Sequence, residues 1–374
     1  MPYKTVRVNP NSFAQPRASV LVIYTGGTFG MVYDRTAGPQ KTGQLVPFDF
    51  ERVLDRLPEL NRLDFEITLL TLDDIIDSSN MKPSVWVELA QIIQQYYDQY
   101  DSFVILHGTD TMAYTASALS FMLVGLNKPV ILTGAQLPIG VARSDARENF
   151  VTALEIAAAV ESAAVESTDT NAQKSVQPVV SEVCVYFNSL LLRGNRSTKR
   201  ESVQFNAFSS ENYPNLANAG VSIYYNRPFI QPYQPNQELT IRTELDPNVT
   251  ILKIFPGITQ PVVESIVNIP NLRGVVIETF GAGNAPTDSW FLDTLKEAID
   301  RGVVLFNVSQ CEGGRVTQGQ YQTSKELKQI GVVSGADITT EAAITKLMVV
   351  LGHERDPINV RKLLAQSISG EMSE

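Results

Sequence analysis

The chain has 374 residues, 44% hydrophobic and 19% charged, an ordinary balance for a soluble globular protein and more chain than one core usually holds, so about two domains are expected. A formal net charge of -10 without a basic block argues against a nucleic-acid or anionic-membrane surface. Two histidines exclude a multi-histidine metal site, and the two cysteines, Cys184 and Cys311, lie too far apart for metal spacing and read as small buried hydrophobes in a reducing compartment.

Residues 1–17 are polar, carry Asn9, Pro10, Asn11 and Pro16, and contain no apolar signal-peptide core; they are expected to be a flexible lead-in. No apolar run is long enough for a membrane span, which points to the cytoplasm. Val20 to Tyr24 is an apolar strand that runs into Thr25-Gly-Gly-Thr-Phe-Gly, a turn carrying Thr28. The Gly- and Pro-rich stretch from Asp34 to Gln44 follows, placed to act as a lid. Phe50 to Leu57 reads as a helix and Glu66 to Leu72 as a strand. The strand leads to Asp77, Ser78, Ser79 and Asn80, one of which is expected to cap the helix opened by Pro83.

Phe103 to Leu106 has the composition of a buried parallel strand, ends at His107-Gly108, and gives way from Thr111 to helical spacing. Thr109 and Asp110 therefore sit at a strand's carboxyl end and a helix N-terminus, where open α/β sheets bind ligands or where either residue simply caps the helix. Pro129 to Thr133 is another buried strand, ending in Gly134-Ala-Gln, and Glu148 to Val160 is a helix. Glu161 to Gln177 reads as a mobile insertion, Val183 to Phe187 as a strand, and Arg193 to Arg200 as a polar, basic stretch containing Lys199. Arg227 to Pro247, with four prolines, is the expected linker. Strands at Thr250 to Phe255, Gly274 to Glu278 and Val303 to Val308 then alternate with helices at Asp288 to Arg301 and Glu341 to Leu351. The class is α/β: two α/β domains with mainly parallel sheets, the larger N-terminal (18–226) and the smaller C-terminal (248–374), joined by 227–247.

The turn at Thr28 admits three readings. It lacks the Lys-Ser/Thr of a phosphate-binding loop and the full dinucleotide spacing; it can be a purely structural turn; or it is a nucleophile elbow. A threonine hydroxyl needs a base to become a nucleophile. His107 is one candidate, although its place between strand and glycine also suits a packed histidine. Lys199 with Asp110 is another, serving Thr109.

The motifs Tyr24-Thr-Gly-Gly-Thr-Phe-Gly-Met and His107-Gly-Thr-Asp-Thr-Met-Ala-Tyr-Thr resemble the two signatures of the L-asparaginase/glutaminase family. The similarity extends to Asp77-Ser-Ser, Arg193-Gly-Asn-Arg-Ser-Thr-Lys and Gly281-Ala-Gly-Asn-Ala-Pro, and is greatest towards the cytoplasmic type I bacterial enzymes. The resemblance implies hydrolysis of L-asparagine to L-aspartate and ammonia through a threonine acyl-enzyme, with no cofactor and no metal, in a homodimer or homotetramer. By position it makes Thr28 the nucleophile and Thr109, Asp110 and Lys199 a second catalytic group. It gives Asp77, Ser78 and Ser79, with Thr109 and Asp110, the task of binding the substrate's charged groups, and makes Asn284 a residue that completes a neighbouring subunit's site. The amidase subunit of a tRNA-dependent amidotransferase shares this pattern but normally carries an added domain, and a catalytically silent amino-acid-binding member is at odds with four intact reactive positions.

Three positions depart from the family. The activating tyrosine expected about ten residues after the nucleophile is absent, leaving Tyr33 as the nearest phenol. Asn80 replaces a common aspartate. Glu278 replaces an arginine of the second asparagine site of allosteric type I relatives, while Thr198 and Ser309-Gln-Cys311 still resemble that site.

Overall fold

The computed structural model describes residues 3, 5–8, 16–33, 45–47, 55–162, 176–319 and 322–373. Nine strands form the first sheet: β1 (Thr5–Arg7), β2 (Ser19–Tyr24), β3 (Glu66–Thr71), β4 (Ser102–Leu106), β5 (Val130–Thr133), β6 (Val183–Phe187), β7 (Leu190–Arg193), β8 (Ala217–Ala219) and β9 (Ile223–Tyr225). Their spatial order is β1-β3-β2-β4-β5-β6-β7-β8-β9, with the five strands from β3 to β6 parallel and both flanks antiparallel. After β2 the chain moves to one side, to β3; after β4 it moves to the other, to β5. The carboxyl ends of β2 and β4 thus flank the switch point of the sheet, the position at which open α/β sheets form a ligand crevice.

The parallel strands are apolar on both faces because both are covered. Leu21, Ile23, Phe103 and Ile105 pack with helices α1 (Pro83–Tyr96) and α2 (Met112–Met122), while Val20, Val22, Val104 and Leu106 pack with α3 (Ala146–Ala157). α1 owes its start to Pro83 and its placement to a buried stripe of Trp86, Leu89, Ile92 and Ile93.

A second sheet holds four parallel strands in chain order, β10 (Val249–Lys253), β11 (Gly274–Thr279), β12 (Val304–Ser309) and β13 (Val333–Ser334). Helices α4 (Gln260–Val267), α5 (Ser289–Asp300) and α6 (Gln322–Ile330) belong to one face, where Leu252, Val275, Ile277 and Leu305 meet Val263, Phe291, Leu295 and Leu327. On the other face α7 (Thr340–His353) and α8 (Pro357–Ala365) pack against Val276, Val304 and Phe306. α7 also lies against α2, so one apolar core runs through both sheets.

Three expectations need correction. Of the two cysteines expected to be buried, Cys184 is buried but Cys311 is exposed. The lead-in is not structureless, because Thr5–Arg7 extends the first sheet as an antiparallel edge. No residue of Asp77–Asn80 caps α1, whose N-cap is Lys82 without a side-chain bond; Asp77 instead caps the short 3-10 turn Ser78–Asn80. The segment 227–247 is fastened to the first domain: Thr240–Ile241 pairs with Leu123–Val124, and the Asn127 amide donates to the carbonyls of Gln234 and Gln237. In the polar, basic stretch after β7, Arg193, Asn195 and Arg196 are buried. The ends of the expected insertion, Val160–Ser162 and Val176–Pro178, pair with each other. Its middle, residues 163–175, the 34–44 loop, and most of the helix expected at Phe50 to Leu57 lie outside the described residues.

Candidate active site

Two loops leave the sheet at the switch point and touch through their glycines. Gly27 takes φ 85 and ψ 179, open in practice only to glycine, and delivers Thr28 onto a single 3-10 turn, Thr28–Gly30. A Cβ on Gly27 would lie 2.6 Å from the Gly108 Cα, so a side chain at Gly27 drives the two loops apart. On its other side Gly108 meets Ser78, whose Oγ a Cβ there would approach to 2.5 Å. The Thr111 hydroxyl donates to the Ser78 carbonyl over 2.7 Å. Three loops, following β2, β3 and β4, therefore converge within side-chain reach.

Thr109 is buried and Asp110 exposed at the end of β4. Neither caps α2, whose N-cap is Thr111 without a side-chain bond. Lys199 reaches them from the two-stranded ribbon Thr198–Lys199 and Phe208–Ser209. Its Nζ donates to Thr109 Oγ1 over 2.8 Å and to Asp110 Oδ1 over 2.6 Å. Thr109 Oγ1 in turn donates to Gln136 Oε1 over 3.3 Å, and Gln136 donates to the Gln204 carbonyl. The Thr109 oxygen thus carries a donor and an acceptor in fixed places, while 64% of the Asp110 side chain stays exposed to meet a cation. Gln136 was not singled out in the sequence; the signal was its place after β5, the next parallel strand in the sheet.

His107 is no base. It is fully buried, its Nδ1 donates to the Gly108 carbonyl, and its Nε2 accepts from Thr115, which takes a bond from the Trp86 indole. Burial holds its pKa down at about 4, against a small opposing effect of the Gly108 bond. The ring is a neutral spacer between β4 and α2.

Asp77 and Ser79 are exposed and joined by the Ser79 N–H to Asp77 Oδ1 bond of 3.0 Å, while Ser78 is turned inward onto Gly108. Asn284 belongs to the other sheet, in the turn after β11, where it bridges back to Phe280. The structure therefore gathers Asp77, Ser78, Ser79, Thr109, Asp110 and Lys199 around the Thr28 turn and places Asn284 apart. Glu278 is engaged, bound by Lys253 Nζ at 3.2 Å and by the Thr340 hydroxyl at 2.7 Å. The Tyr33 phenol lies outside the described residues. A cavity of about 430 Å³ sits at the far end of α2, lined among others by Asn127, Arg193 and Arg242, and no predicted site residue borders it. Among the described residues no group of three or more metal-ligating side chains is found, and no helix is long and apolar enough to cross a membrane.

Residues 19–231 match the family model described as asparaginase, N-terminal, and residues 248–364 match the glutaminase/asparaginase C-terminal domain. The chain belongs to the asparaginase family. It is 39% identical to L-asparaginase 1 of Escherichia coli K12 over 96% of this chain and 98% of that one. It is also 39% identical to the mouse 60 kDa lysophospholipase, over 96% of this chain and 63% of that longer protein. The crystal structure of L-asparaginase I from Vibrio cholerae superposes with a TM-score of 0.81 at 36% identity, covering 96% of this chain and all of that one. Asparaginase-family membership accords with both sheets.

Proposed function

We propose that the protein hydrolyses L-asparagine to L-aspartate and ammonia through an acyl-enzyme on Thr28, acting in the cytoplasm as a homo-oligomer to whose neighbouring site Asn284 contributes. The observation that carries the reading is the contact of Lys199 Nζ with both Thr109 Oγ1 and Asp110 Oδ1, directly beside the Thr28 turn. Asparagine is a zwitterion with a short amide arm. The exposed Asp110 carboxylate pairs with its ammonium, and the Asp77–Ser79 loop offers hydroxyl and N–H donors to its carboxylate. Thr28 Oγ attacks the amide carbon, the carbon–nitrogen bond breaks, and ammonia leaves with the proton surrendered by the hydroxyl. Water then attacks the ester, and the Thr109–Lys199–Asp110 group directs its proton back to Thr28. Donors around the oxyanion each contribute about 3 kcal/mol.

Ammonia release from asparagine by the purified chain tests this reading. Thr28→Ala is expected to lower kcat by at least about 10³-fold while leaving aspartate affinity within a few-fold. Near-normal turnover in that variant would remove Thr28 from the nucleophile's role.

A further inference from the structure

Thr198 and Lys199 are adjacent on a two-residue strand, so their side chains leave it on opposite sides. Lys199 faces Thr109 and Asp110. Thr198 faces the other sheet's domain, where its hydroxyl donates to Glu341 Oε1 over 2.5 Å. Glu341 stands in the first turn of α7, a helix capped by Thr339 through the Ala342 N–H, and a carboxylate is favoured at that end of a helix. Just upstream, at the end of the 3-10 turn Gly194–Arg196, Arg196 is buried against Asp337, with 3.1 Å from Nη1 to Oδ2. The chain that presents Lys199 is thus attached from behind at two points, both in the C-terminal domain.

The surroundings make the Glu341 contact more than a surface bond. Burial raises its carboxyl above the ordinary carboxylate range; the Thr198 hydroxyl pulls it back and the nearby Glu278 charge pushes it up. Glu278 is itself held by Thr340 and Lys253, and Tyr114 of α2 has its phenol raised first by burial and then by Glu341 and Glu278. α7, α2 and the Lys199 strand therefore meet at Glu341, and α2 begins directly after the Thr109–Asp110 pair that Lys199 must reach.

We infer that Glu341 is a positioning residue, which through Thr198 fixes the strand that aims Lys199 at Thr109 and Asp110. The inference rests on the active-site reading given above. A lysine carries four side-chain torsions and holds a catalytic distance only if its backbone is held, and a displacement of about 1 Å can cost on the order of 10²-fold in rate.

The test uses the full-length enzyme and steady-state kinetics with asparagine. Glu341→Leu and Thr198→Val each remove one partner of the bond, and each is expected to lower kcat about tenfold or more with KM changed less than about threefold. The double variant should lose no more than the worse single one, because both remove the same bond. Glu341→Gln keeps an accepting oxygen and should recover most of the lost kcat, which a role in bulk stability alone would not require. In a Lys199→Met background, Glu341→Leu should change kcat no further. An inactive Lys199→Met beside a fully active Glu341→Leu and Thr198→Val overturns this inference alone. A fully active Lys199→Met overturns the active-site reading and this inference with it. Losses that add in the double variant, or a Glu341→Gln as impaired as Glu341→Leu, also overturn it.

Discussion

His107 shows how one residue's environment decides between chemistry and architecture. By type and position it is a plausible base for either threonine, but its ring is fully buried and both nitrogens are engaged by Gly108 and Thr115. Its pKa falls from 6.5 to about 4, mainly through burial. Above pH 6.5 the folded and unfolded chains both hold a neutral ring. Between pH 6.5 and 4 only the unfolded chain takes up the proton, so stability is lost as pH falls through that window, by about 3 kcal/mol in full. Thermal unfolding between pH 7 and pH 4 should therefore lose part of its pH dependence in His107→Gln. An identical pH dependence in the variant would show that the ring is charged or solvated in the fold. The candidate site residues on strand ends were legible in the sequence because a buried parallel strand is a continuous apolar run, and its end is marked by glycine and hydroxyl residues. Lys199 was legible as a partner of Thr109 from its chemistry and the resemblance, not from spacing, and Gln136 was missed; they arrive from a separate ribbon and from the loop after β5, and only the fold brings them within 3.3 Å.

At the scale of elements, the segment after α8 closes the molecule. Lys346 of α7 and Glu371 form an ion pair of 2.7 Å with both side chains fully buried. Glu371 also accepts from the N–H groups of Ile368 and Ser369, and Lys346 donates to the carbonyls of Leu364 and Gln366. The same segment supplies the Ser369 and Gly370 carbonyls to Asn195 and Arg196, just ahead of the Lys199 strand. Glu371→Ala leaves the ammonium buried without its partner and should cost about 3–5 kcal/mol, read as a large fall in unfolding temperature. A loss under about 1 kcal/mol would mean that water reaches Lys346 freely. None of this was legible locally. Arg193 to Arg200 reads only as a polar, basic stretch because its counter-charges lie outside it, Glu182 ahead of the neighbouring strand β6 and Asp337 and Asp110 in distant parts of the chain. α8, in contrast, was missed although Asp356 before Pro357 is a local start signal, and Asp356 does cap it.

Across the whole molecule, the alternation of strands and helices was sufficient to give two α/β units with mainly parallel sheets, which both sheets bear out. Strand order was not accessible, because β3 and β4 are both buried apolar runs and nothing local says that they flank β2 on opposite sides. That order matters most for function, since it turns two separate threonine motifs into one crevice. The central claim is that Thr28, and not Thr109, carries the covalent step. Lys199→Met should slow release of the ester more than its formation, so acid-quenched enzyme mixed with asparagine can be weighed intact and its peptides mapped. The account predicts a single aspartyl group on the peptide containing Thr28. An aspartyl group on the Thr109 peptide, or ammonia released in a first turnover with no adduct at all, would contradict it.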